Sequence, residues 1–480
     1  MSINKILNYV STSQFGIWGW PTIILLLGTG IFLTIRLKFF QVSKFPHTLN
    51  NTLISTFKSV KVKKDKKSVS PFEAFSTAIS GSIGTGNIIG VTNAIITGGP
   101  GAIFWMWISA FFGMITNYTE TVLSVYYRKK NAKGEYVGGP AYYITHGLKL
   151  KWLAYVTCVF CLVASVGMSA VQTNKISNTI TDSIGNNALW IKLIIGVIVA
   201  LLIALIILGG VKRIGKVSSF LVPFMTIAFF TLAIIIICSN YQNVPFAFKS
   251  IFKYAFNFKS AGGGIFGYAT TQVIQKGMAR GIFSNEAGLG SSSIAHASTN
   301  ETEPVKQGLW GILAVFIDTF IVCTLTSLII LTSIDLSTLN ANSSDTTTAL
   351  LAFYQTFNGF GKVAFSTILP VFAFTTILAW SFYGEKSIEF IFSKFGTKTQ
   401  RIAQIIFKIL YVTLIILWAM VASDIVWNLS DISNVLMCVP NLIALVGLSG
   451  IVVKITKNYF ARKKGQEIAP MLSAYDIEEK

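Results

Sequence analysis

Ser80-Gly81-Ser82-Ile83-Gly84-Thr85-Gly86-Asn87-Ile88-Ile89-Gly90 lies inside an apolar run long enough to cross a bilayer. Each glycine costs a helix interior about 1 kcal/mol relative to alanine, and here they stand at 81, 84, 86 and 90. A bare glycine backbone also lets other groups approach its N–H and C=O closely. In hydrocarbon, unwound backbone is tolerated only where protein covers it or it lines a wet cavity. The stretch predicts the break of a discontinuous membrane helix and one half of a binding site.

The bulk composition agrees with a membrane setting. Of 480 residues, 52% are hydrophobic and only 12% charged, with a mean hydropathy of +0.63. That is the profile of a polytopic membrane protein. The N-terminus, Met1 to Gln14, is polar, and Ile17–Leu37 has no small-residue cleavage site behind it. It reads as a span, not a secretory signal. The net charge of +20 would suggest nucleic acid in a soluble protein. Here the bases cluster between apolar runs, as cytoplasmic loops require, so no nucleic-acid partner is expected. Cys158, Cys161, Cys238, Cys323 and Cys438 all sit in apolar runs. Cys158 and Cys161 have a metal-like spacing but no second pair, and helix packing explains them. His47, His146 and His296 form no metal-like pattern. A Walker-type phosphate loop is absent from the sequence, as is a converging acid, base and nucleophile set, so neither a self-powered ATPase nor an enzyme is expected.

With about 20 apolar residues per span, about eleven segments emerge. They are Ile17–Leu37, the broken Pro71–Thr97, Gly101–Tyr127, Trp152–Thr173, Leu189–Leu208 and Val217–Cys238. The broken Gly262–Ala297 follows, then Gly308–Thr332, Val363–Phe392, Ala403–Val421 and Val435–Ile455. Basic residues fill alternate connections: Arg36 to Lys67, Arg128 to Lys151, Lys212 to Lys216, Lys386 to Arg401, and the tail from Arg462. The loops between carry few, although Lys249, Lys253 and Lys259 break the pattern. The alternation places the N-terminus outside and the C-terminus in the cytoplasm. The run Lys58–Lys67 reads as a topology signal, with contact to anionic lipid as the alternative. The polar tail reads as mobile.

The second broken segment carries Gly277, Arg280 and then Gly281-Ile282-Phe283-Ser284-Asn285-Glu286-Ala287-Gly288-Leu289-Gly290. It falls five segments after the first. Setting the first span aside leaves two sets of five, each opening with a broken helix. An odd number of helices per set inverts one set relative to the other. Glycine-interrupted segments in corresponding places point to a midplane transport site. One such stretch alone would read as close helix packing. Half-helix N-termini suit a carboxylate, and freed carbonyls and hydroxyls suit a hard cation.

Other polar residues fall within spans. Glu120, Asp318 and Arg280 are expected to face the bundle interior and find partners; for Glu120 and Asp318 structural and transport roles stay open, and Arg280 is a candidate gate or charge partner. In the ninth segment Thr376 and Trp380 share a face at four-residue spacing, with Thr375 beside them. Trp380 is a candidate wall that limits pocket size. Back-bonding to the helix is the ordinary use of such threonines.

Gly84-Thr85-Gly86-Asn87-Ile88, Gly98-Gly99-Pro100-Gly101-Ala102, Trp105-Met106-Trp107, Gly138-Gly139-Pro140, Gly281 through Gly288 and Trp380-Ser381 together resemble the alanine or glycine:cation symporters, the sodium:alanine symporter family. The likeness runs from about Pro71 to Val446. It implies an all-α LeuT-like fold: about 11 transmembrane helices, a five-plus-five inverted repeat with discontinuous helices, and one extra N-terminal helix. The division expected is an extra helix and basic linker over 1–70, repeats over 71–240 and 241–456, and a cytoplasmic tail over 457–480. The implied activity is sodium-driven uptake of a small neutral amino acid, alanine or glycine, across a cell (inner) membrane. A larger neutral amino acid such as glutamine, or an uncoupled channel or transport-like sensor, is the alternative. By motif position the resemblance implies substrate contacts at Thr85, Gly86, Asn87, Phe283, Ser284, Asn285, Glu286, Gly288, Thr376 and Trp380. It implies a cation site at the backbone around Ser82 and Ile83, with Thr375 and Thr376. No cofactor or metal is implied beyond the sodium ion that is carried, and the partners are that ion, the amino acid and the bilayer.

Overall fold

The computed structural model describes residues 19–58, 69–256, 265–339 and 343–475. Among these the architecture is helical. Among the described residues the only paired strands are the two-residue hairpin arms Lys129–Lys130 and Tyr136–Val137. In chain order, α1 is Trp20–Arg36, α2 Pro71–Ser82, α3 Ile89–Gly98 and α4 Ala102–Tyr126. Then come α5 Lys151–Ile184, α6 Leu189–Ile207, α7 Gly210–Ser239, α8 Ile265–Asn285 and α9 Ser291–Ala297. The chain closes with α10 Pro304–Ser333, α11 Asp345–Phe357, α12 Gly359–Ile391, α13 Thr397–Trp418 and α14 Ser423–Lys463. Seven of the described helices (α5, α6, α7, α10, α12, α13 and α14) are long and apolar enough to cross a membrane. The basic run beyond Lys58 and the start of the second broken segment lie outside the described residues.

Burial divides these helices into two kinds. In α6, α7 and α13 only 33, 28 and 22% of the most apolar window is covered by protein, against 61 to 67% in α5, α10, α12 and α14. The first group presents an apolar face outward, as a lipid-facing helix does. The second forms the interior: α5 packs on α12 and α14, while α4 packs on α8 and α10. Both α2 and α9 lie against one another, and α2 also contacts α7 and α12. The two broken helices therefore end inside the bundle.

Local signals explain where the chain enters this core. Ser70 and Glu73 form a capping box around Pro71 at the first turn of α2, with Ser70 N–H donating to Glu73 at 2.8 Å. That reciprocal pair satisfies two otherwise orphaned donors.

Three expectations change. Helix α14 begins at Ser423 and not near Val435, and it continues to Lys463, inside the segment expected to be tail. Residues 345–357, expected in a connection, form α11. An apolar ruler registers only the hydrocarbon-exposed part of a helix, whereas these turns carry charges with internal partners. Asp431 of α14 pairs with Arg280 at 3.1 Å, and Asp345 of α11 pairs with Lys175 at 2.7 Å. The tail is also held: Ala474 N–H donates to Tyr126 O at 3.0 Å, and Tyr475 hydroxyl to Tyr127 O at 3.1 Å.

Candidate functional site

The first break begins where α2 stops. Ile83 turns extended (φ −73°, ψ 93°), Gly84 is extended as well, and a single 3₁₀ turn spans Thr85–Asn87 before α3 starts. Side chains replace the lost helical partners. Asn87 Oδ1 accepts from Gly84 N–H at 2.9 Å, and Gln172 Oε1 of α5 accepts from Thr85 N–H at 3.0 Å. On the other side, the Thr376 hydroxyl of α12 lies 2.9 Å from Ser80 O and 3.4 Å from Ile83 O. A Cβ on Gly84 would stand 2.4 Å from that hydroxyl oxygen, so the close approach of α12 requires glycine there.

The second break is shorter than its glycine content suggests. Helix α8 runs through Gly281 to Asn285, and only the turn from Glu286 to Gly290 is unwound. Gly277 and Gly281 serve packing: added Cβ atoms would come 2.2 Å from Ala102 O and 2.3 Å from Ser109 Oγ on α4. In the turn itself Glu286, Gly288 and Gly290 have φ of 55°, 98° and 78°. A left-handed glutamate costs roughly 1 kcal/mol or more, and two contacts hold it. Trp380 Nε1 donates to Glu286 Oε1 at 2.9 Å, and Ser291 Oγ to Oε2 at 2.5 Å. Glu120 of α4 supports the same turn. Its Oε1 accepts from Gly288 N–H at 2.9 Å, Gly290 N–H at 3.1 Å and Asn441 Nδ2 at 2.7 Å.

One buried carboxylate joins the two breaks. Asp318 lies in a π-helical stretch, Phe316–Cys323, within α10, a distortion frequent at functional sites. Its Oδ1 accepts from Asn87 Nδ2 at 2.7 Å. Its Oδ2 accepts from Ser284 Oγ at 2.8 Å and Thr319 Oγ1 at 2.9 Å. Asn285 Nδ2 in turn donates to Thr319 Oγ1 at 3.1 Å. One residue before Ser284, the Phe283 ring covers Gly86, whose Cβ would lie 3.1 Å from it. Trp427 packs on Phe283 at 4.9 Å, and Arg280 lies 4.5 Å above the Trp427 ring while pairing with Asp431.

The structure thus brings Thr85, Gly86, Asn87, Phe283, Ser284, Asn285, Glu286, Gly288, Thr376 and Trp380 to the two breaks and the face of α12 between them. Of the cation set, Thr376 and the Ile83 carbonyl meet. The Thr375 and Thr376 hydroxyls both reach Phe372 O of their own helix; Thr375 otherwise contacts Met225 Sδ, and Ser82 Oγ bonds back to Ile79 O at 3.3 Å. The Ser80 carbonyl is a further backbone oxygen beside the Thr376 hydroxyl. Gln172, Thr319 and Asn441 also enter, none of them singled out from the sequence; polar side chains in spans were the only signal. Within this buried region, Thr85 Oγ1 and the Tyr383 hydroxyl have no hydrogen-bond partner among the described residues.

Comparison with known proteins follows the same lines. The family described as the sodium:alanine symporter family matches residues 3–473. An uncharacterized transporter of Haemophilus influenzae is 42% identical over 97% of this chain and 98% of its own length. The sodium/alanine symporter AgcS of Methanococcus maripaludis is 39% identical over 95% of this chain and 98% of its own. Among solved structures, MhsT in complex with L-phenylalanine superposes with a TM-score of 0.56, covering 82% of this chain and 99% of that one. At 12% identity this last likeness concerns the fold alone. Matched along nearly its whole length, the chain belongs to the sodium:alanine symporter family.

Proposed function

We propose that this protein is a secondary active symporter that couples inward sodium movement to uptake of a small neutral amino acid, alanine or glycine, by alternating access. The observation that carries the reading is the meeting of two buried helix breaks at Asp318, with α12 closing the space through Thr376 and Trp380. The substrate carboxylate is assigned to the first break, where it would take over the Gly84 and Thr85 N–H groups from the Asn87 and Gln172 side chains and where the start of α3 adds a partial positive charge. The ammonium is assigned to Glu286 and the carbonyls of the second break. Sodium is assigned to Ser80 O, Ile83 O and Thr376 Oγ1, three oxygens already converging, as a hard cation prefers. Phe283, Trp427 and the Arg280–Asp431 pair are assigned as the cover on one side of this space.

In this reading residues 71–240 and 241–456 are inverted five-helix repeats of a LeuT-like fold, preceded by an extra helix within 1–70 and followed by a cytoplasmic tail. Alternation of basic connections supports an outside N-terminus and a cytoplasmic C-terminus in the cell membrane. Ion and substrate shift the populations of outward and inward states only through their differential affinity. Radiolabelled alanine, glycine and glutamine uptake into proteoliposomes, with and without an inward sodium gradient, tests the reading. Accumulation of alanine or glycine above equilibrium that collapses with the gradient is the expected result. Uptake indifferent to the gradient overturns it.

A further inference from the structure

A polar cavity lies apart from the two breaks. It holds about 240 Å³ between the Lys129–Val137 hairpin, the end of α12, the middle of α13 and the corner joining α6 to α7. Six charged side chains line it: Lys133, Glu135, Glu385, Lys386, Glu389 and Lys408. On α12 the lining residues are Phe382, Glu385, Lys386 and Glu389. At 3.6 residues per turn these fall on the side of α12 opposite Thr376, Trp380 and Tyr383. The cavity is therefore lined by the face of α12 that points away from those residues.

Its surroundings say what it faces. Leu205, Leu208 and Ile409, on the helices that border it, are 63, 75 and 60% exposed, on the helices whose apolar faces point outward. At this corner α7 begins at Gly210 with Gly209 as its cap, a residue with no side chain to accept from the first N–H groups. Both glycines line the cavity, and a side chain on Gly210 would meet open space. A long helix presents its free N–H groups and partial positive charge to this space, which favours phosphate. Lys408 stands by, bonded to Glu385 at 2.9 Å, and Lys386 is shared between Glu389 at 2.7 Å and Glu135 at 3.7 Å. The lining carries lysines and glutamates in equal number. Because Glu385, Glu389 and Glu135 already have lysine partners, a group bearing both charges can exchange into those pairs without leaving a net charge, whereas a bare anion cannot.

We propose that this cavity binds the headgroup of a zwitterionic phospholipid with a primary ammonium, its phosphodiester at the start of α7 and Lys408 and its ammonium at Glu385 and Glu135. The acyl chains run out over Leu208 and Ile409. Charged hydrogen bonds give the contact its strength.

The test uses the full chain, purified and delipidated in detergent, and native mass spectrometry with phosphatidylethanolamine and phosphatidylglycerol of identical acyl chains. Retention of phosphatidylethanolamine about tenfold tighter than phosphatidylglycerol is expected. Lys408→Gln should weaken it about tenfold. Val211→Phe, which fills the cavity without touching an ion pair, should weaken it similarly and keeps the test valid if Lys408→Gln folds poorly. Equal retention of the two lipids, or unchanged retention in Val211→Phe, overturns the proposal. Free O-phosphoethanolamine is the third probe: binding as tight as the lipid would assign the cavity to a soluble ligand and overturn the lipid assignment.

Discussion

Asp318 and Asn87 are 231 residues apart in sequence, and the asparagine amide donates to the aspartate carboxylate at 2.7 Å. Through that bond the first helix break is tied to the π-helical stretch of α10, and through Ser284 the same carboxylate reaches the second break. A group placed so ought to register every change in either break.

Replacing it isosterically, Asp318→Asn, removes a charged acceptor from three donors at once. Hydrogen bonds to charged groups contribute about 1.5–3 kcal/mol, which corresponds to roughly 10–100-fold in binding. We predict a loss of that size in sodium-driven uptake, with the purified protein still monodisperse. Wild-type uptake in the variant would remove Asp318 from the coupling machinery.

The neighbouring threonines make a matched pair for testing the cation assignment. Thr376→Val deletes the hydroxyl lying between Ser80 O and Ile83 O, and should raise the sodium concentration for half-maximal uptake about tenfold. Thr375→Val deletes only a bond to its own helix and a contact to Met225, and should change it little. The sodium dependence of initial uptake rates distinguishes them; equal effects would move the ion elsewhere.

Glu120 is predicted to act as a scaffold for the second break. Glu120→Gln keeps an acceptor for the N–H groups of Gly288, Gly290 and Asn441 and should preserve thermal stability. Glu120→Ala leaves all three donors without it, at about 1–3 kcal/mol for each buried donor. Its melting temperature in detergent should fall by several degrees. If the glutamine variant falls as far as the alanine one, the carboxylate charge itself is required.

Trp380 donates to Glu286 and sits fully buried beside the second break. Trp380→Ala should broaden the range of amino acids that compete for uptake, toward larger side chains, while weakening alanine itself. A competition profile identical to wild type would show that this ring does not bound the pocket.

Much of this site is legible in the chain before any coordinate is known. Gly84, Gly86, Gly288 and Gly290 mark backbone that cannot stay helical, and the four-residue spacing of Thr376 and Trp380 puts them on one face. Glycine identity alone does not separate unwound backbone from tight packing, so Gly277 and Gly281 look like part of a break although they hold α8 against α4. Partners distant in sequence are hidden for another reason. Gln172 finds Thr85 across 87 residues and Asn441 finds Glu120 across 321, and nothing local in either helix specifies those pairings. The polar turns of α11 and α14 escape a ruler calibrated on hydrocarbon because their charges are neutralised by Lys175 and Arg280 within the protein.

The fold-back of the last described residues has a further consequence. Ala474 is fastened to Tyr126 through its main-chain N–H, and Ala469 offers its main-chain carbonyl to Asn458 at 2.8 Å. Those fastenings read the length of the strap between them and are blind to most of its side chains. Point changes at the exposed positions 466–470 should pass unnoticed, whereas adding or removing a few residues there would slacken or tighten the hold on the end of α4. Since α4 also carries Glu120, the strap's length is mechanically in series with the second break.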